Sequence, residues 1–322
     1  MPDSFEFSRK PVLVLGASGY IGSRVVAALA DSPIYRAVAA SRRSALAVDA
    51  TNMDQMRAAL NDVDCVVNCI AGSASTMVQS TRVLCDAART SPPRRMIYLS
   101  SMAVYGGAAG SVREDHSPVA PVSGYGQAKL ECERMVRKYV DDGGEAVILR
   151  PTCVFGPGSP QWTTRLAHLL RAGRIGDLGI AGDGCCNLAF IDDVVAAIVT
   201  ALDAPDVSGR TFNLSSSSEL SWNEFFVAFA KAIGATPVRR ISPRSLQIET
   251  RLLAPMRRIA AMALRSPATE AITPSLVALW GQNIQIDCTA ARAVLSLPRT
   301  SPERMIAAVV RDERPLKQSA LP

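Results

Sequence analysis

The stretch Gly16-Ala17-Ser18-Gly19-Tyr20-Ile21-Gly22 directly follows the apolar run Pro11-Val12-Leu13-Val14-Leu15. The apolar run predicts a buried parallel strand, and Ile21 to Ala30 predicts the helix after it. Glycines let the backbone turn tightly between the two, and the N-terminus of a helix offers free N–H groups and a partial positive charge. In this context the glycines predict a pyrophosphate-binding turn, with a plain strand-to-helix turn as the alternative.

The same alternation continues along the chain and indicates the fold class. Further apolar strands are predicted at 36–41, 65–70, 95–100 and 145–150, and helices at 54–60, 76–89 and 125–139. Strands that alternate with helices at short spacing predict an α/β protein with a doubly wound parallel sheet. After Pro151 the rhythm loosens, with helices predicted at 162–172, 192–204 and 222–233 and a strand at 210–214. Ser221 is the expected N-cap of the last of these helices.

Composition and charge argue against several classes of partner. The chain has 322 residues, a net charge of +6 and only 5% aromatic residues. The basic residues are dispersed, with the largest local excess between Arg239 and Arg265, so we expect attraction of an anionic cofactor or substrate and no nucleic-acid partner. No apolar run approaches the ~18–20 residues of a membrane span, and we expect no membrane partner.

Location and metal content follow from the N-terminus and the cysteines. The sequence begins without the basic and apolar regions of a signal peptide, so a cytoplasmic protein is expected. The eight cysteines fall in apolar segments without CxxC spacing and are interpreted as core residues. With only two histidines, we expect no metal site.

A second motif supplies a group that can move a proton. Tyr125 and Lys129 stand four residues apart in Gly124-Tyr125-Gly126-Gln127-Ala128-Lys129, a spacing that places them on one face of a helix. An ammonium beside the phenol, together with a nicotinamide cation if one binds, would lower the pKa of Tyr125 from about 10. A phenol tuned in this way acts as a general acid or base near neutral pH.

The end of the second strand bears on the form of the cofactor. NAD sites usually carry Asp or Glu about 20 residues beyond the glycines, where it binds the 2′-hydroxyl of the ribose. Here the strand ends in Ala40-Ser41-Arg42-Arg43. Two guanidinium groups suit a 2′-phosphate, so the sequence favours NADP over NAD. The alternative is that both arginines are simply solvated.

These motifs together resemble the extended short-chain dehydrogenase/reductase family, also called the NAD-dependent epimerase/dehydratase family. The resemblance runs from about Val12 to Gly234. Besides the glycine turn and the Tyr125/Lys129 pair, it rests on Leu99-Ser100-Ser101-Met102-Ala103-Val104-Tyr105-Gly106, Arg150-Pro151-Thr152-Cys153-Val154-Phe155-Gly156-Pro157-Gly158 and Phe190-Ile191-Asp192-Asp193-Val194. The segment 287–303 is similar to the family's closing helix-loop-helix.

The resemblance implies a Rossmann doubly wound parallel sheet with a smaller C-terminal substrate-binding lobe. The NADP-binding Rossmann domain would comprise residues 10–155 plus about 186–214. The substrate-binding lobe would comprise about 156–185 and 215–322. The family also implies a possible homodimer through the helices at 76–89 and 124–139.

The resemblance also implies roles for individual residues. Ser101 would orient the substrate oxygen, Tyr125 would give or take the proton, and Lys129 would hold the nicotinamide ribose. Asp49 would face the adenine, Ile70, Ala71 and Gly72 would line the adenosine side, and Thr152 would lie near the nicotinamide. The remaining cofactor contacts would come from Gly16, Ser18, Gly19, Tyr20, Ile21, Gly22, Ser41, Arg42 and Arg43.

Departures from the family pattern concern the substrate. Nucleotide-sugar members usually carry an Asn at the position of Cys153 and an Arg shortly before Phe190, and this chain has neither. Met77 occupies a place where many members have Asn. A diphosphate would lack donors, so we expect a non-nucleotide, fairly apolar small molecule. The segment from Leu246 to Leu264 is apolar enough to line its pocket.

Three functional hypotheses follow. The leading one is an NADP-dependent oxidoreductase, a ketone reductase or secondary alcohol dehydrogenase. The alternative is an NAD(P)-dependent epimerase or dehydratase that acts on a sugar or natural product. The third, a non-catalytic NADP-binding regulatory protein, is disfavoured because such proteins generally lose Tyr125 or Lys129.

Overall fold

A seven-stranded parallel sheet forms the centre of the molecule. The computed structural model describes residues 9–44, 46–91, 93, 95–116, 123–216, 220–253, 256 and 271–318. In chain order its strands are β1 (Lys10–Leu15), β2 (Tyr35–Ser41), β3 (Leu46–Ala47), β4 (Cys65–Asn68), β5 (Arg95–Leu99), β6 (Gly110–Val112), β7 (Ala146–Pro151), β8 (Cys153–Phe155), β9 (Leu188–Phe190), β10 (Thr211–Leu214) and β11 (Ile284–Ile286). The sheet order is β3-β2-β1-β4-β5-β7-β10, which confirms the doubly wound α/β fold.

Helices cover both faces of the sheet. They are α1 (Tyr20–Ala30), α2 (Met53–Leu60), α3 (Ala74–Ala88), α4 (Gly124–Asp141), α5 (Arg165–Arg171), α6 (Ile191–Asp203), α7 (Trp222–Ala232), α8 (Pro243–Ile248), α9 (Pro274–Trp280), α10 (Thr289–Leu295) and α11 (Pro302–Gln318). The helix predicted at 162–172 begins instead as a π-helical turn, Pro160–Thr164, before α5. Helices α3 and α4 pack against each other, and the homodimer through them stays a prediction.

The pattern of β1 explains why helices are needed on both faces. Val12 and Val14 belong to one buried apolar cluster, whereas Leu13 and Leu15 belong to a second. Alternate side chains of a strand point to opposite faces, so β1 contributes to a core on each side of the sheet. The continuous apolar run therefore reflects a central strand with no solvent-facing side.

The turn after β1 brings chain segments so close together that glycine is required. Gly16 has φ +75°, and a Cβ on Gly22 would lie 2.3 Å from the Gly16 carbonyl oxygen. A Cβ on Gly16 would lie 3.0 Å from the carbonyl of Cys69, just beyond β4. The turn therefore lies between β1 and β4, where the order of the strands reverses and doubly wound sheets bind ligands.

The C-terminal part of the chain packs on an aromatic cluster. The rings of Phe155, Phe225 and Phe229 are in mutual contact, and Trp222 contacts Trp280. Helix α7 begins at the predicted N-cap, Ser221, which forms a capping box with Glu224. One buried cluster includes residues of β1 and of α10, and the division into two domains stays a prediction. None of the described helices is long and apolar enough to cross a bilayer.

Candidate active site

Helix α4 presents Tyr125 and Lys129 on one face at the carboxyl edge of the sheet. The helix begins after Ser123, whose hydroxyl accepts a hydrogen bond from the amide of Gly126 at 3.1 Å. The Lys129 ammonium lies 6.0 Å from the centroid of the Tyr125 ring. Tyr125 is 43% exposed, whereas Lys129 is buried. The predicted spacing on one helical face is confirmed, with part of the Tyr125 side chain exposed, its phenol largely surrounded by protein, and the Lys129 ammonium buried behind it.

Lys129 is fixed by contacts with β5. Its Nζ donates a hydrogen bond to the carbonyl oxygen of Leu99 at 2.6 Å and lies 5.1 Å from the centroid of the Tyr98 ring. Burial lowers the pKa of Lys129 to about 8, against the opposing influence of nearby Cys132, Cys69 and Glu133. The ammonium is thus held in one place but is less firmly protonated than a surface lysine.

Ser101 lies beside Tyr125. It caps the short 3₁₀ helix Met102–Tyr105, and its Oγ accepts a hydrogen bond from the amide of Ala103 at 3.2 Å. Burial raises the pKa of Tyr125, while a hydrogen bond with Ser101 opposes that rise. The lowered pKa that we predicted for Tyr125 is therefore wrong for the protein without cofactor. Desolvation of the phenol is the largest influence on its pKa and outweighs that of Ser101.

Behind these residues lies a buried ion pair that the sequence analysis missed. Glu133 and Arg150 are almost fully buried, and two hydrogen bonds join them, Nε to Oε1 at 2.8 Å and Nη2 to Oε2 at 2.7 Å. Burial alone would raise the pKa of Glu133, but the bonds and charge of Arg150 outweigh it and leave that pKa lowered. Glu133 lies four residues after Lys129, so the same helical spacing would have indicated its position.

The ion pair is the centre of a larger polar network. Ser100 donates to Glu133 Oε1 at 2.6 Å, which connects α4 to the end of β5. Arg150 Nη1 donates to the Tyr105 hydroxyl at 2.7 Å, and that hydroxyl donates to Asn213 Oδ1 at 2.6 Å, on β10. The network therefore joins α4 to three adjacent strands directly below Ser101, Tyr125 and Lys129.

The turn after β1 fits a dinucleotide. The N-cap of α1, Gly19, makes no side-chain cap, and the amides of the first helical turn have no partner within the helix. Two buried polar atoms at the same sheet edge have no hydrogen-bond partner, Nδ2 of Asn68 and Oγ1 of Thr152. Backbone amides and buried side-chain donors that have no hydrogen-bond partner at one edge of the sheet suit the phosphates and polar ring substituents of a dinucleotide.

The other predicted cofactor residues lie around this edge. Ile70 contacts the glycine turn, since its amide would be 3.1 Å from a Cβ on Gly16, and Ala71 and Gly72 are exposed beside it. The hydroxyl of Tyr20 lies near Gly156, and Ser18, Tyr20 and Ile21 belong to the turn and the first turn of α1. Their contacts with a cofactor stay predictions.

The end of β2 is a short ordered turn. Ser41 accepts a hydrogen bond from the amide of Arg43 at 3.1 Å and shares one with Ser44 at 2.6 Å. Arg42 and Arg43 are exposed. Hydrogen bonds from the amide and hydroxyl of Thr51 lower the pKa of Asp49, with a smaller contribution from Arg42. Asp49 therefore stays ionised, and its charge lies within reach of Arg42.

The structure shows the two places where the chain departs from the family pattern. One is Cys153, and the other is the run before Phe190, which lacks the family's arginine and contains Asn187. Cys153 is buried, and burial raises the pKa of its thiol. Asn187 is also buried, with Nδ2 donating to the carbonyl of Ile284 at 2.8 Å and Oδ1 accepting from the amide of Ile286 at 3.2 Å. Neither side chain is available to a substrate phosphate. Of the segment from Leu246 to Leu264, which we predicted to line an apolar pocket, the structure describes residues 246–253 and 256, and the rest lies outside the described residues.

A match to a known family decides the classification. The sequence model of the NAD dependent epimerase/dehydratase family matches residues 12–215. The chain belongs to this family. The match spans the glycine turn, Ser101, Tyr125, Lys129 and Thr152, and it establishes an NAD(P)-dependent enzyme of the extended short-chain dehydrogenase/reductase type.

Three proteins illustrate how similar this chain is to individual relatives and solved structures. A UDP-glucose 4-epimerase of Vibrio cholerae is 26% identical over 70% of this chain and 76% of its own length. The low-salt glycan biosynthesis protein Agl12 of Haloferax volcanii is 29% identical over 70% of this chain and 75% of its own length. The structure of UDP-glucuronic acid 4-epimerase from Bacillus cereus in complex with NAD has a TM-score of 0.72 at 21% identity, with 95% of this chain and 99% of that chain covered.

We expect the buried ion pair to be needed for stability. In Glu133→Gln an amide NH₂ would face the Arg150 guanidinium, donor against donor, and leave a buried charge without its partner. The free energy of unfolding should fall by about 3–5 kcal/mol. Glu131→Gln is the matched control on the same helix, because its half-exposed carboxylate lies 3.8 Å from Arg82; it should change stability by less than about 0.5 kcal/mol. Similar small losses in both variants would show that the pair is dispensable.

The lowered pKa of Lys129 has a consequence for stability against pH. Between pH 7.5 and 9.5 the folded protein releases this proton, while the unfolded chain, with a lysine pKa near 10.4, keeps it. The unfolded state then binds more protons, so stability rises with pH. Denaturant unfolding should show that wild type gains about 1–2 kcal/mol over Lys129→Met across this range. A constant difference between the two proteins would contradict the lowered pKa.

Proposed function

We propose that this protein catalyses a redox-neutral reaction of the epimerase or dehydratase type at a secondary alcohol. The observation that carries the proposal is the position of Tyr125, which lies beside Ser101 and has the buried Lys129 ammonium 6.0 Å from the centroid of its ring. The ketone reductase that the sequence analysis placed first has less support, since relatives named for an activity include 4-epimerases. Oxidation and reduction of the substrate within one turnover, at one carbon for epimerisation and at two for dehydration, fit both the family and the site.

The residues divide the proton chemistry among them. A bound dinucleotide supplies the hydride acceptor and donor at its nicotinamide. Ser101 holds the substrate oxygen by a hydrogen bond and keeps it near the phenol. Tyr125 takes the proton of the hydroxyl when the alcohol is oxidised and returns it when the carbonyl is reduced. Lys129 lies close enough to stabilise the phenolate, and its hydrogen bond to the Leu99 carbonyl fixes the position of its charge.

Loss of the phenol should stop the reaction but spare the cofactor site. Tyr125→Phe should lower kcat by about 10²–10⁴-fold while the affinity for dinucleotide changes little, because the turn after β1 is untouched. The assay follows epimerisation or dehydration of sugars and secondary alcohols by NMR, with absorbance at 340 nm recorded together. With NADP⁺ supplied, product should form without net formation of NADPH. Tyr139→Phe, on the same helix, is the control with unchanged kcat.

Two outcomes would overturn this proposal. Full activity in Tyr125→Phe would mean that another group moves the proton. Stoichiometric consumption of NADPH with a ketone would restore the simple reductase.

The form of the cofactor is a separate part of the proposal. Exposed Arg42 and Arg43 at the end of β2, in place of a ribose-binding carboxylate, support NADP. Several solved structures with the same fold contain NAD. Their sequence identity to this chain is below 25%, so the similarity shows a shared fold and does not decide which dinucleotide this chain binds.

Substitution of one arginine separates the two cofactors. Arg42→Ala should weaken NADPH binding about tenfold or more, since a charge-assisted contact to the 2′-phosphate is lost, and should leave NADH nearly unchanged. Arg36→Ala removes an exposed arginine from the same strand and should affect neither. Calorimetric titration of all three proteins gives the constants. Equal losses for NADPH and NADH in Arg42→Ala would remove the argument for NADP.

The substrate is proposed to lack a nucleoside diphosphate. Buried Cys153 and the fully engaged Asn187 support this, because neither offers a donor to a phosphate. A sugar or natural product with a secondary alcohol remains. Tight calorimetric binding of UDP-glucose or UDP-glucuronic acid in the presence of dinucleotide would contradict this substrate class.

A further inference from the structure

The net charge of the chain is concentrated in one short segment. Residues 239–265 contain seven arginines, one glutamate and no lysine or aspartate. Their net charge of +6 equals the formal net charge of all 322 residues, so the rest of the chain is balanced. A local excess of this size marks an attraction for a negatively charged surface.

The only acidic residue of this segment is turned inwards. Helix α8 continues into a π-helical turn, Glu249–Leu253, and on this continuous stretch Leu246 and Glu249 are buried. Glu249 pairs with Arg174 from the loop after α5. The carboxylate is therefore neutralised within the protein and does not offset the outer face.

The outer face of the same stretch combines arginines with exposed apolar side chains. Arg244 and Arg251 are exposed. Ile248 and Leu252, four residues apart, are 50% and 60% exposed, and Met256, further along the chain, is 65% exposed. Large apolar side chains exposed in sequence on a helix are unusual in a soluble protein and mark a contact surface.

A neighbouring loop contacts the start of the basic segment and carries one more exposed apolar side chain. Ile180, in the 3₁₀ helix Gly179–Gly182, is 89% exposed. A Cβ on Gly179 would lie 3.6 Å from the guanidinium of Arg240, so the loop and the basic segment are in contact. Arg240 also lies 3.7 Å from Asp177, a surface ion pair that is solvent-screened.

We propose that this face binds the headgroup region of an anionic lipid bilayer. Apolar side chains that enter the boundary between headgroups and acyl chains, flanked by arginines at the phosphates, are the pattern of interfacial helices. The sequence analysis expected no membrane partner because no segment is long enough to span a bilayer. A peripheral contact needs no such segment, and it would assign to the bilayer the side chains of Ile248 and Leu252, which the sequence analysis expected to line a substrate pocket.

Co-sedimentation with lipid vesicles tests this proposal. The full-length protein is mixed with vesicles of phosphatidylcholine alone or with 30% phosphatidylglycerol, at low and high salt. We expect binding to the anionic vesicles that weakens as salt rises. Arg244→Gln combined with Arg251→Gln should weaken it by about fivefold for each arginine. Ile248→Ser combined with Leu252→Ser should weaken it at every salt concentration, since burial of apolar area is less sensitive to screening.

The control variant carries Ile34→Ser and Arg36→Gln, which remove an exposed isoleucine and an exposed arginine near the start of β2. This control should bind vesicles like wild type. Unchanged midpoints of thermal unfolding establish that all variants fold. Absence of binding to anionic vesicles at low salt would overturn the proposal, as would equal losses in the control. Concentration-dependent self-association that the same substitutions abolish, without vesicle binding, would assign the face to a second copy of the chain.

Discussion

The buried ion pair between Glu133 and Arg150 is the interaction on which the site depends. A charge inside a protein is tolerated only where its partner and further hydrogen bonds replace water, and here Ser100 and Tyr105 supply those bonds. The pair fixes the rotation of α4 about its own axis relative to β7. Tyr125 and Lys129 lie on the same face of α4, so the geometry that satisfies the ion pair also orients the residues assigned to proton transfer.

Burial has opposite effects on the two neighbouring titratable groups. It raises the pKa of Tyr125 and lowers that of Lys129, so both are driven towards their neutral forms. A phenol in this state is a poor base. We infer that the positive charge of an oxidised nicotinamide, once bound beside the phenol, is needed to favour the phenolate. The protein would thereby couple proton transfer to the presence of its cofactor.

Much of the fold could be predicted because its signals are local. The apolar run of β1, the glycines after it and the N-cap at Ser221 each act over a few residues, and the structure places all three as expected. The polar network escaped prediction because Ser100, Arg150 and Asn213 come from different strands and meet only in the folded sheet. For the protein without cofactor, the pKa of Tyr125 was predicted in the wrong direction because desolvation depends on the surroundings and not on the spacing to Lys129.

The most direct test of this account is the pKa of Tyr125 with and without cofactor. The absorbance of tyrosinate near 295 nm, taken as the difference between wild type and Tyr125→Phe, isolates this one phenol during a pH titration. The account predicts a pKa above 10 in the free protein and a clear fall once oxidised dinucleotide is bound. A pKa already below 10 in the free protein, or one that the dinucleotide leaves unchanged, would contradict it.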